Sequence, residues 1–61
     1  AYASIVAIKD INKGDKLTMD NIWVKRPGIG PLFAKDFNKT LGKKAKTFIK
    51  KDSHLKEEDF A

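Results

Sequence analysis

The sequence predicts one small, mainly β domain with short strands, short helical turns and an internal pseudo-two-fold repeat. Three observations predict it. The chain has 61 residues and no cysteine, so it holds one core and no disulfide staple. Its apolar segments are strand-sized and are separated by turn residues. One pattern also occurs twice: Ala7, Ile11, Lys13, Leu17 and Ile22 recur 38 residues later as Ala45, Ile49, Lys51, Leu55 and Phe60. Asp20 matches Glu58, and Asn21 matches Asp59, in the same frame. Coincidence is the alternative to two copies of one supersecondary unit that share a core.

Each copy reads as strand, turn, core residue and helical turn. The strands are Ser4 to Ile8 and Lys44 to Ile49, their imperfect alternation being that of segments buried on both faces or twisted sharply. The turns are Asn12-Lys13-Gly14-Asp15, where Gly14 takes positive φ cheaply, and Lys50-Lys51-Asp52-Ser53. Leu17 and Leu55 return the chain to the core. Helical turns over Thr18 to Ile22 and Lys56 to Phe60 close the units, too short to stand without Ile22 and Phe60 plugging the core. Thr18 is the expected N-cap of the first. Between the copies, Trp23-Val24-Lys25 reads as a strand and Arg26 to Pro31 as a loop with two prolines and two glycines. Leu32 to Leu41 reads as a helix from Phe33, Phe37 and Leu41 at i, i+4 and i+8, with Gly42 as its C′ stop. The expected core is Ile5, Val6, Ala7, Ile11, Leu17, Ile22, Val24, Phe37, Leu41, Ala45, Ile49, Leu55 and Phe60.

Composition narrows the function classes. No cysteine and one histidine exclude a thiolate or multi-histidine metal site. Thirteen Lys/Arg against eight Asp/Glu give +5, which raises the question of nucleic acid. Lys43, Lys44, Lys46, Lys50 and Lys51 are the obvious patch, but acidic residues are interspersed and paired aromatics are absent, so nucleic acid is not an expected partner. The longest apolar run, Ile5 to Ile8, is far short of the roughly 18 residues of a membrane span, so no membrane contact is expected. The start at Ala1, without Met, suggests an excised or processed fragment; no secretory signal is visible, and the absence of cysteine fits a cytoplasmic location. His54 reads as a surface residue. Glu57-Glu58-Asp59 reads as a solvated turn, since adjacent carboxylates do not converge on a cation without a loop scaffold.

One residue stands out. Arg26 is the single arginine among thirteen basic residues and sits at the mouth of a Pro/Gly loop. Pro27 biases it toward extended backbone. Its planar five-donor fork suits carbonyls and carboxylates in a way lysine does not.

Ser4-Ile5-Val6-Ala7, Ile11-x-Lys13-Gly14-x-x-Leu17-Thr18-x-Asp20-x-Ile22, Val24-Lys25-Arg26-Pro27-Gly28 and Leu41-Gly42-Lys43 together resemble the SAF domain. This is the antifreeze-like C-terminal domain of N-acetylneuraminate (sialic acid) synthases and their legionaminic and pseudaminic acid relatives. The resemblance covers essentially all of residues 1–61 and implies a β-clip. It implies a larger parent whose TIM barrel condenses phosphoenolpyruvate with an N-acetylated mannosamine-type sugar, using a divalent metal such as manganese. In that homodimer the SAF domain of one subunit caps the neighbouring barrel, and the arginine of the K-R-P-G loop reaches the sugar. Here that residue is Arg26, with Lys25, Pro27 and Gly28 supporting it. The domain itself would be non-catalytic, hold no cofactor and bind no metal. Ile29 departs from the commoner G-T-G or G-N-G form.

The same fold is implied for fish type III antifreeze protein, which makes ice binding the rival reading. The positions of that protein's ice face are Lys9, Gly14, Asp15, Lys16, Thr18, Met19, Asp20 and Asn21. Lys9, Asp15, Lys16 and Asp20 carry full charge and keep their own water shells, so ice binding is not expected. Trp23, Phe33 and Met19 are expected to stay partly exposed here and to face the barrel in the parent.

Overall fold

The strand Ser4–Ala7 (β1) is buried along its whole length, which is why its sequence shows no alternation. It pairs antiparallel with Ile22–Lys25 (β2) in the register Ser4 to Lys25, Ile5 to Val24, Val6 to Trp23 and Ala7 to Ile22. The computed structural model describes residues 2–61. Phe33 and His54 pair singly with Ser4 and Val6. Most remaining order comes from isolated bridges, Ile11 with Ile49, Lys16 with Lys44 and Ala45 with Phe60, rather than from long strands.

The 38-residue recurrence is a pseudo-dyad in space. Ile11 and Ile49 are repeat mates, and each donates its amide to the other's carbonyl at 2.8 Å, so the axis runs between them. Away from the axis, bonds come in related pairs. Gly14 donates to the Ala45 carbonyl and Asp52 to that of Ala7, both at 2.8 Å; Ala7 donates to Ser53 and Ala45 to Asp15, both at 2.9 Å. Leu17 to Lys43 is matched by Leu55 to Ile5, and Ile8 to Asn21 by Lys46 to Asp59. The turns match as well: Gly14 has φ +92° and its mate Asp52 has φ +73°. Asp52 therefore fills a position that favours glycine, which aspartate tolerates better than most residues.

The helical turn expected over Thr18 to Ile22 is a hydrogen-bonded turn at residues 19–21, because Ile22 is taken into β2. Two further expected elements are shorter than the pattern suggests. The strand expected over residues 44 to 49 is broken, because the chain bends at Lys46 and Thr47 between the bridges at Lys44, Ala45 and Ile49. The dyad explains the break. Ile8 and Lys9, the mates of Lys46 and Thr47, are likewise a bend, which ends β1 at Ala7. The helix expected over residues 32 to 41 begins late. Leu32 and Phe33 are pinned to β1, with Ile5 donating to the Leu32 carbonyl at 3.0 Å and Ala34 to that of Ala3 at 2.9 Å. Only then come a 3₁₀ turn, Ala34–Asp36, and one α turn, Phe37–Thr40 (α1). Gly42 has positive φ as expected, but its amide goes to the Leu17 carbonyl at 2.8 Å, not back into the helix. The last helical turn is a 3₁₀ turn, Glu57–Asp59.

The core packs Ile5, Ala7, Ile11, Leu17, Ile22, Leu32, Ala45, Ile49 and Leu55, with Val24, Phe37, Leu41 and Phe60 half-buried around it. Leu32 was not expected there. Val6 is buried against the opposite face of β1. Among the described residues the four buried polar side chains all have partners. Ser4 bonds His54, Thr40 donates to the Asp36 carbonyl, Asn21 accepts from the Thr18 amide, and Asp59 accepts from that of Lys56. Among the described residues no helix is long and apolar enough to cross a membrane.

Candidate functional site

The loop that leaves β2 carries the candidate residue. Arg26 is exposed, and among the described residues it makes neither an ion pair nor a side-chain hydrogen bond. The Arg26–Pro27 peptide is cis. Lys25 pairs with Asp52 at 3.7 Å, but both groups are mostly exposed, so the pair contributes little. The Pro27 carbonyl accepts the Ile29 amide at 3.0 Å, which tightens the loop.

Two glycines pin this loop to the body of the domain. A Cβ at Gly28 would lie 2.6 Å from the Tyr2 carbonyl oxygen. A Cβ at Gly30 would lie 2.6 Å from His54 Nδ1. Neither glycine has positive φ; both are required because a side chain would have no space. Reading them as turn punctuation missed this. Ile29, between them, is 74% exposed. Tyr2 is similarly exposed and packs its ring on Phe33, 5.6 Å between centroids. Trp23 meets Phe37 edge-on at 5.5 Å and stays 45% exposed. Trp23, Met19 and Phe33 are thus exposed or half-buried as expected, while Tyr2, Ile29 and Phe48 add apolar surface that was not anticipated.

His54 is not a surface residue. It is half-buried, pairs with Val6, and is hydrogen-bonded through Nδ1 to the fully buried Ser4 hydroxyl at 3.1 Å. The 50-residue separation hides this pairing from any local pattern. Asp59 also departs from the solvated-turn reading, since its carboxylate is buried and accepts the Lys56 amide at 2.9 Å. The three acidic neighbours therefore diverge, and among the described residues no three such groups converge on a metal-sized gap.

The eight positions of the rival ice face are not all surface. Lys9, Gly14, Asp15, Lys16, Met19 and Asp20 are exposed, but Asn21 is buried. Its amide is spent inside, accepting from the Thr18 backbone at 2.9 Å and donating to the Lys16 carbonyl at 3.0 Å. The Thr18 hydroxyl accepts the Asp20 amide at 3.2 Å, as an N-cap would, but it closes a hydrogen-bonded turn at residues 19–21 rather than the helical turn expected there.

The pretzel of bridges about a pseudo-dyad defines a small mainly β clip with an arginine-bearing loop between its halves. Residues 2–61 match the SAF domain, and the chain belongs to that family. It is similar to the pseudaminic acid synthase of Helicobacter pylori, 43% identical over 56 residues that cover 92% of this chain and 16% of that protein. It is also similar to the pseudaminic acid synthases of two strains of Campylobacter jejuni, each 42% identical over 57 residues, 93% of this chain and 16% of the relative. The chain thus spans about one sixth of the length of the curated relatives it matches.

Proposed function

We propose that this domain is the substrate-capping accessory module of a sialic-acid-type synthase and has no catalysis of its own. The observation that carries the reading is an exposed, unpaired Arg26 on a loop pinned by Gly28 and Gly30. The relatives' names favour pseudaminic acid over N-acetylneuraminic acid as the product class. The parent would condense phosphoenolpyruvate with an N-acetylated sugar, and the domain would sit over the barrel mouth of the neighbouring subunit in a homodimer. Lys25, Pro27 and Gly28 set the loop, and Arg26 donates one charge-assisted hydrogen bond to the sugar's acyl oxygen. Covering the mouth excludes water and orients the sugar. The manganese of the resemblance belongs to that barrel, and the reaction is cytoplasmic.

Loss of one charged hydrogen bond costs about 1.5–3 kcal/mol. In the full synthase, Arg26→Ala is therefore expected to lower kcat/KM for the sugar by about one to two orders of magnitude. Unchanged kinetics toward the sugar would remove Arg26 from the site. The ice-binding reading ranks below this one because four of the eight face positions are charged and Asn21 is buried. Thermal hysteresis from the purified chain at millimolar concentration would reverse that order.

A further inference from the structure

Ser4 and Val6 lie on one face of β1, with their in-register partners Lys25 and Trp23. His54 pairs with Val6 on the other edge of the strand, and its ring reaches Ser4. The Ser4 hydroxyl is fully buried and bonds Nδ1 at 3.1 Å. Gly30 rests on the same ring. A Cβ there would stand 2.6 Å from Nδ1 and 2.9 Å from both Cβ and Cγ of His54. The loop bearing Arg26 therefore has two footings. The one at Gly28 is backbone against the Tyr2 backbone, and the one at Gly30 is a side chain held from behind by Ser4.

We propose that His54, fixed by Ser4, is a positioning residue for Arg26. It sets the height and direction of the loop's return, and so the presentation of the guanidinium. The inference rests on the capping role of Arg26 proposed above and adds the residue that makes the role geometrically definite. A serine hydroxyl both donates and accepts, so Ser4 can meet Nδ1 in either tautomer of the neutral ring.

The chain itself provides the first test, through ¹⁵N relaxation of the Arg26, Gly28 and Ile29 amides. Wild type is expected near the rigid order parameter of about 0.85, and His54→Ala is expected to fall below about 0.6 at these sites. The β1 and β2 amides should not move. His54→Asn, whose side-chain amide puts a hydrogen-bonding atom near the place of Nδ1, should restore the order. Unchanged loop order in His54→Ala, or a loss spread evenly over the sheet, overturns the proposal. The second test is kinetic, with Arg26→Ala and His54→Ala made singly and together in the full synthase. Positioning predicts about a tenfold loss in kcat/KM for the sugar on His54→Ala, no change in KM for phosphoenolpyruvate, and no further loss when Arg26 is already alanine. Additive losses overturn the proposal. A harmless Arg26→Ala instead removes the capping role, while the relaxation data still decide whether His54 props the loop.

Discussion

Ile11 and Ile49 are hydrogen-bonded to each other twice, and they stand at the same place in the two copies of the repeat. A residue can pair with its own repeat mate only on a two-fold axis. Both side chains are buried in one core, so the axis is also the packing centre of the domain. Ile11→Val and Ile49→Val should each destabilise by about 0.5–1.5 kcal/mol. Because the two are in contact, the double variant should depart from the sum by at least about 0.5 kcal/mol. Urea unfolding measures both. A strongly unequal pair of single losses would argue that the dyad is backbone-deep only.

The matched turns answer differently to the gain and to the loss of a side chain. Gly14 has positive φ, and a Cβ there would meet nothing within 4 Å. Gly14→Ala should therefore cost about 1–2 kcal/mol through backbone strain alone. Asp52 tolerates its positive φ better than alanine would, and its ion pair with Lys25 is exposed. In Asp52→Gly the strain relieved is offset by the entropy a glycine loses on folding, so stability should stay within about 0.5 kcal/mol of wild type. Thermal melts of the two variants decide it.

Asn21 and Asp59 are buried repeat mates doing the same work with different chemistry. Each accepts a backbone amide three residues upstream at 2.9 Å. Only Asn21 also donates, to the Lys16 carbonyl at 3.0 Å. Asn21→Asp puts two acceptors face to face and should cost about 1–3 kcal/mol. Asp59→Asn adds a donor on the side where, by the dyad, the His54 carbonyl lies, and should be tolerated. Equal losses in chemical denaturation would show that the charge of Asp59 matters more than its shape.

Asp36 gives the fold an acid-sensitive component. The Phe33 backbone amide, at 3.1 Å, and then Lys39, at 3.2 Å, hold its carboxyl below the ordinary aspartate value. A group depressed in the folded state stabilises above its unfolded pKa and loses that contribution as pH falls through its folded value. The melting temperature should therefore drop as pH falls below about 4. In Asp36→Asn that part of the drop should vanish, leaving a shallower acid limb. Identical acid limbs from pH 7 to 2 would assign no role to the carboxylate.

The repeat was readable because its mates include the residues at the axis and at the two turns, where chemistry is constrained. Most of the core was readable for the same reason. Leu32 escaped because it follows the Pro/Gly loop and lies off the Phe33, Phe37, Leu41 stripe; pairing with β1, not helical spacing, buries it. That same pairing shortened the expected helix, a case of long-range bonds overriding local periodicity. Arg26 was legible as an outlier of composition. The means of holding its loop was not, since Gly30 and His54 meet only through the tertiary fold, and a glycine needed for clearance looks like one needed for a turn.

None of the dyad-related bonds described above involves residues 26 to 41. The connector is held by its own contacts, at Tyr2, at His54 and along β1. The two halves thus form a frame that bonds to itself, and the segment strung between them is carried outside its symmetry, as loops ride on a scaffold. A change confined to residues 26 to 41 is therefore met by the footings at Tyr2, His54 and β1, while the paired bonds of the two halves stay as they are.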